Sequence, residues 1–203
     1  MSLITIDGNI GCGKTSVLNY LHKFYKYPVD LEPVEEWQPY LYKMYQNKEN
    51  TFNFQIRIWL DRCWIQNKND NNTIIVERSP LFIKKVFIEL ALKENLITED
   101  EFNILINLHN KTNPLWDNNI YIYLRSNPDS CINRIKKRNR KSEDNISLDY
   151  LQKIDEFSEN IIKTINNIII IDVEGKTVQK IASEINEQFK ICENKLKCLF
   201  EDF

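Results

Sequence analysis

The sequence predicts an α/β fold, a three-layer α/β/α sandwich around a five-stranded parallel sheet. Five short β-branched or apolar runs stand at residues 3–6, 28–31, 73–76, 120–124 and 168–173. Segments with apolar residues spaced three or four apart separate them, which is the period of an amphipathic helix. The first run also leads directly through a glycine-rich turn into such a segment. Strands alternating with helices favour parallel pairing, because a parallel neighbour needs a long crossover connection. Runs this uniformly apolar suit strands buried on both faces.

Taken in order, the first run is Leu3-Ile4-Thr5-Ile6, and the helical pattern after the turn places Val17, Leu18, Leu21 and Phe24 or Tyr25 on one face. The second run ends at an acidic stretch, Glu32-Pro33-Val34-Glu35-Glu36-Trp37, and the third at Glu77-Arg78-Ser79-Pro80. Ser79 followed by Pro80 suits a helix start, with serine as N-cap and proline at the first helical position. The fourth run leads to Asn127-Pro128-Asp129, which opens a helix carrying Arg134, Arg138 and Arg140. Leu151, Ile154, Phe157, Ile161 and Ile165 then mark a further helix before the last run. Ligands in such sheets bind at the carboxyl ends of the strands, where these motifs fall.

The 203 residues are expected to form a single domain spanning 1–203. A formal net charge of -2 offers no global attraction to nucleic acid or an anionic membrane, so neither is expected as a partner. No run is long and apolar enough to span a bilayer, and the start of the chain reads as a strand, not a signal peptide. The five cysteines (Cys12, Cys63, Cys131, Cys192 and Cys198) have neither zinc-site nor redox-pair spacing. They suggest free thiols in a reducing cytoplasm. The sequons at Asn71, Asn110 and Asn145 are then chance matches.

The strongest motif is Gly8-Asn9-Ile10-Gly11-Cys12-Gly13-Lys14-Thr15, which fits G-x-x-x-x-G-K-[ST] and makes the fold P-loop NTPase-type. Glycines let backbone N–H groups turn inward around phosphate oxygens. Lys14 reaches the β- and γ-phosphates, Thr15 offers a hydroxyl to Mg²⁺, and the helix beginning near Gly13 adds its positive end. Three of the chain's four glycines lie in this loop. Ser16 stands where a dinucleotide fingerprint needs its third glycine. Glu77 is the kind of hard oxygen donor that Mg²⁺ takes. A GTPase reading finds Asn67-Lys68-Asn69-Asp70 and Asp172-Val173-Glu174-Gly175, but their order is reversed.

The P-loop, Glu32-Pro33-Val34, Glu77-Arg78-Ser79 and the arginine-rich run from Arg134 to Glu143 together resemble the deoxynucleoside kinase family. The resemblance extends over nearly the whole chain. It implies transfer of the ATP γ-phosphate to the 5′-hydroxyl of a deoxyribonucleoside, with Mg²⁺ as cofactor and a homodimer as assembly. Glu32 is then the base that takes the 5′-hydroxyl proton, and Arg78 holds Glu32 and phosphate. Residues 134–145 become a lid, whose Arg134, Arg138 and Arg140 close over the triphosphate. Tyr45 and Glu143 would hold the sugar 3′-hydroxyl, Gln55 would read the base edge, and Trp37, Phe54 and Phe87 would wall the base. The backbone from Glu174 through Gly175 to Lys176 would pass the donor adenine.

The segment from Tyr45 to Gln55 is one residue shorter than the family pattern. Arg62 matches an arginine of the deoxycytidine and purine enzymes, while Ile83 stands where its acidic partner belongs. Thymidine-preferring members are apolar at both places, so base preference stays open. A buried Arg62 must then pair with another acid or contact the base. Two rival readings are a thymidylate kinase-like nucleoside monophosphate kinase and a P-loop module without turnover. The first would usually carry Asp-Arg-Tyr in place of Glu77-Arg78-Ser79. The second would be expected to lose Glu32 or the lid arginines. His22 and His109 match no motif and read as surface or satisfied core residues.

Overall fold

The computed structural model describes residues 3–46, 50–63, 74–116 and 119–201. The stretches at 67–70 and 71–73 noted above lie outside them. Strands β1 (Leu3–Gly8), β2 (Val29–Asp30), β3 (Ile74–Glu77), β4 (Asn119–Arg125) and β5 (Ile168–Asp172) form one parallel sheet in the order β2-β3-β1-β4-β5. Helices flank it: α1 (Lys14–Tyr20), α2 (Val34–Gln46), α3 (Thr51–Arg62), α4 (Pro80–Phe82), α5 (Glu89–Lys93), α6 (Glu99–Thr112), α7 (Pro128–Arg138), α8 (Leu148–Ile162) and α9 (Val178–Glu201). The expected α/β architecture is therefore present.

Every sequence-derived strand appears, with shifted ends. The expectation of burial on both faces holds at the centre, where Ile4, Ile6, Ile122, Tyr123 and Leu124 are buried. It fails at the edges: Asp30 on β2 and Ile170 on β5 are exposed. An edge strand has a neighbour on one side only, so its helical cover is incomplete.

Local chemistry fixes the helix starts. Ser79 caps α4, its Oγ accepting from the Phe82 N–H at 3.1 Å, with Pro80 next in line. Asn127 caps α7 in the same way, ahead of Pro128. Two π-helical stretches widen the helical path, Leu21–Tyr25 after α1 and Ile83–Ile88 between α4 and α5. Ile165 lies beyond α8, whose buried face carries Leu151, Ile154 and Ile161.

Candidate active site

The carboxyl ends of β1, β2 and β3 open onto a cavity of about 510 Å³. Its floor is the turn between β1 and α1. Gly8 there has φ 146°, and a Cβ on it would come within 2.7 Å of both Cys12 Sγ and the Leu124 carbonyl oxygen. A Cβ on Gly11, at φ 83°, would lie 2.7 Å from the Cys131 carbonyl oxygen. Only glycine allows the loop to close this tightly against α7 and β4. Asn9 anchors the loop from below, its Nδ2 donating to the Leu151 carbonyl at 2.9 Å. Lys14 Nζ is buried and donates to the carbonyls of Gly8 at 3.2 Å and Asn9 at 3.0 Å, curling over the loop it serves.

Thr15 and Glu77 meet across the floor, the Thr15 hydroxyl donating to Glu77 Oε1 at 2.7 Å. Glu77 Oε2 accepts from the Glu32 N–H at 3.2 Å. Glu32 in turn holds Arg78, whose Nε donates to it. Arg78 has φ 66°, a left-handed backbone rare outside glycine. Its guanidinium stacks 4.5 Å from the Phe87 ring centroid.

Burial pushes the Glu32 carboxyl up, but Arg78, Lys14 and Arg62 together outweigh it and hold it below the usual range. Glu77 lies above its ordinary value, through burial and then the neighbouring Glu32 charge. The two carboxylates are thus separated electrostatically, with the anion favoured on Glu32.

Trp37, Leu41, Met44 and Tyr45 of α2 and Phe54, Gln55 and Ile58 of α3 form one wall of the cavity. Ile83 and Phe87, both on the second π-helical stretch, form another. Gln55 is buried and its Oε1 has no hydrogen-bond partner, so this wall presents an unmet acceptor amid apolar surface. Tyr45 and Tyr150 meet edge-on with centroids 6.5 Å apart. Burial, then Tyr150 and Glu143, raise the Tyr45 hydroxyl well above its ordinary pKa, so it stays a donor.

Arg134, Arg138, Arg140 and Glu143 close the opposite side. Arg138 grips Glu143 bidentately, Nε to Oε2 at 2.6 Å and Nη2 to Oε1 at 2.7 Å. Arg140 approaches the same carboxylate at 3.5 Å. Lys136 and Lys137 are exposed.

Most residues singled out from sequence line this one cavity. Gly8, Asn9 and Cys12 sit behind its floor, and Glu174, Gly175 and Lys176 lie outside its lining. The Glu174 carboxylate instead accepts from Ser126 Oγ at 2.7 Å, the Asn127 N–H at 3.0 Å and Ser130 Oγ at 2.8 Å, at the start of α7. Arg62 departs from the substrate-binding place expected for it and takes the other expected alternative, an acidic partner. It does not line the cavity but turns to the strand ends, pairing with Asp30 at 3.0 Å. Ile83 offers it no acidic partner. Leu41, Met44, Ile58, Ile146 and Tyr150 line the cavity without having been picked out. Aliphatic and aromatic residues at helical spacing read as ordinary core, and no motif marks them.

Comparison with known proteins agrees with this fold. The chain is 27% identical over 192 residues to a kinase-named protein of invertebrate iridescent virus 3, covering 90% of this chain and 97% of the relative. It is 30% identical over 185 residues to a fowlpox virus protein named as a probable deoxycytidine kinase, covering 85% and 78%. A solved deoxyadenosine kinase from M. mycoides, with the products dCMP and a flexible dCDP bound, superposes with a TM-score of 0.80 at 27% identity, covering 94% of this chain and 99% of that one. The deoxynucleoside kinase family model matches residues 4–199, and the chain belongs to that family of nucleoside-phosphorylating enzymes.

Proposed function

We propose that the chain transfers the γ-phosphate of ATP to the 5′-hydroxyl of a deoxyribonucleoside, with Glu32 as the proton acceptor. The observation that carries this is the placement of the buried Glu32–Arg78 pair across one cavity from Lys14 and Thr15. Phosphoryl transfer needs little covalent chemistry from the protein and much positioning. Glu32 takes the 5′-hydroxyl proton as the oxygen attacks the γ-phosphorus, and the bond to the β-phosphate oxygen breaks to release ADP. Arg78 holds Glu32 in place and faces the phosphate. Gln55 supplies a polar contact to the base amid Trp37, Phe54 and Phe87, while Tyr45 and Glu143 receive the sugar 3′-hydroxyl. Arg134, Arg138 and Arg140 close over the triphosphate, and the turn at Gly175 borders the adenine.

Thr15 and Glu77 fit Mg²⁺: both offer hard oxygens, 2.7 Å apart, beside the phosphate loop. The ion would neutralise charge on the β- and γ-phosphates. The fold is proposed to act as one domain with residues 134–145 as its lid, and as a homodimer. Among the described residues no helix is long and apolar enough to cross a membrane. The free thiols of Cys12, Cys63 and Cys131 favour a reducing, cytoplasmic setting.

The test is ADP release with ATP, Mg²⁺ and a panel of deoxynucleosides and deoxynucleotides. Turnover with deoxynucleosides is expected. Turnover only with monophosphates would replace this reading by a monophosphate kinase, and none at all by a binding module.

A further inference from the structure

Arg62 ends α3, the helix that carries Phe54, Gln55 and Ile58 into the acceptor wall. Its side chain is 2% exposed, whereas that of its acidic partner Asp30 is 51% exposed. An ion pair so unevenly buried gives little reason to sink a guanidinium. The backbone does. Nη1 donates to Asp30 Oδ1 at 3.0 Å and to the Leu31 carbonyl at 3.1 Å. Nη2 donates to the carbonyls of Asp30 at 3.2 Å and Glu77 at 2.9 Å.

These carbonyls lie where the sheet stops. The register of β2 with β3 consists of Val29 with Ile75 and Asp30 with Val76. Leu31 is the residue before Glu32, and Glu77 is itself the last residue of β3. With so short a ladder, the spacing between the two carboxylate-bearing ends needs another tie. The Glu32 N–H to Glu77 Oε2 bond at 3.2 Å and the Arg78–Glu32 ion pair also link them.

We propose that Arg62 is a positioning residue for phosphoryl transfer: its guanidinium clamps the backbone at the ends of β2 and β3, setting Glu32 against Glu77 and Arg78 and tying both to the helix that bears Gln55. This rests on Glu32 being the base. It differs from a base-contacting role, which would require Arg62 to reach the cavity. The Arg62 charge also helps hold the Glu32 carboxyl low against burial, behind the larger effects of Arg78 and Lys14.

The experiment is steady-state kinetics of wild type, Arg62→Met, Arg62→Lys and Asp30→Asn with several deoxynucleosides, each protein checked for folding by circular dichroism. Wild-type turnover establishes the underlying reaction, so its absence would count against the proposed function and not against the clamp. Arg62→Met is expected to lower kcat about 10²-fold with every acceptor, leaving their order of preference unchanged. The loss should fall in kcat rather than in KM for the acceptor, because Arg62 lies outside the cavity lining. Arg62→Lys cannot span the same carbonyls and should fall between. Asp30→Asn keeps the backbone bonds and should stay within about twofold of wild type, as befits a half-exposed ion pair. A wild-type kcat in either Arg62 variant, or a loss confined to one base, would overturn the proposal. So would a loss in Asp30→Asn equal to that in Arg62→Lys. Should Arg62→Met not fold, the last two variants decide the matter.

Discussion

Glu32 and Arg78 form an ion pair nearly sealed from water: Arg78 Nε lies 2.5 Å from Glu32 Oε1, with side-chain exposures of 8% and 12% respectively. Arg78 reaches it from a left-handed backbone, fixed on either side by its own N–H to the Ile6 carbonyl at 3.0 Å and by the Ser79 N–H to Asp7 Oδ1 at 2.9 Å. The strain sits beside the carboxylate proposed as the base, and such conformations collect at active sites. The protein holds this pair by covalent geometry as well as by charge.

Glu32→Gln keeps the shape of the side chain and removes its ability to take a proton. kcat should fall by roughly 10² to 10⁴. ATP affinity, measured by calorimetric titration without acceptor, should change little if Glu32 serves the acceptor as proposed. A variant turning over at the wild-type rate would remove Glu32 as the base.

The Thr15–Glu77 contact makes a prediction about Mg²⁺. Glu77→Gln leaves a neutral oxygen where a hard cation prefers a carboxylate. The Mg²⁺ concentration for half-maximal rate should rise about tenfold or more in Glu77→Gln and in Thr15→Ala, in proportion to a lost ligand interaction of at least ~1.4 kcal/mol. A metal titration of ADP release checks this. An unchanged midpoint in both variants would place the ion elsewhere.

Some of this site is legible in the sequence because its parts are local. The phosphate loop is one contiguous backbone structure whose glycines are required by φ at Gly8 and Gly11. Glu32 and Glu77 are legible because each follows or ends an apolar run, and parallel topology carries strand ends to one rim. Arg62 is not legible in the same way. Whether a long side chain at a helix end turns inward or toward a strand depends on which carbonyls the sheet leaves unpaired. That depends on β2 stopping at Asp30. Tyr150 escapes notice because a tyrosine near the start of an amphipathic helix looks the same whether it meets core or cavity. Its meeting with Tyr45 joins residues far apart in the chain.

The Arg138–Glu143 fork predicts how the acceptor is read. Glu143 is buried, and both its oxygens are taken by Arg138. A sugar 3′-hydroxyl would share that carboxylate. Hydrogen bonds to a charged group contribute about 1.5 to 3 kcal/mol. Wild type should therefore favour a deoxynucleoside over its 2′,3′-dideoxy counterpart by about 10- to 100-fold in kcat/KM. Glu143→Ala should lose most of that ratio through its loss with the 3′-hydroxyl substrate. Equal ratios in both proteins would take the 3′-hydroxyl away from Glu143.

His109 predicts the behaviour in acid. The ring is fully buried in α6, with Nδ1 3.8 Å from Cys63 Sγ and Nε2 unpartnered, so of the surface or satisfied core places expected from sequence it takes the core one with only one ring nitrogen partnered. Burial, then the Lys84 charge, lowers its pKa from 6.5 to about 4. The unfolded chain therefore binds the proton more readily between those values. Stability from this residue is fully present above the unfolded pKa and is lost as pH falls toward the folded one. The whole effect is about 3 kcal/mol, of which about 2 should be lost between pH 7 and 5. Asp7 opposes it: burial raises its carboxyl to about 6, so ionising it costs stability as pH rises from its unfolded value of 3.8. Comparing variants separates the two. His109→Gln does not titrate, so its melting temperature should fall less than that of wild type between pH 7 and 5. Asp7→Asn removes the opposing contribution, so its melting temperature should fall more. Parallel melting curves for wild type and His109→Gln across that range would mean that the imidazole is not held neutral by the fold.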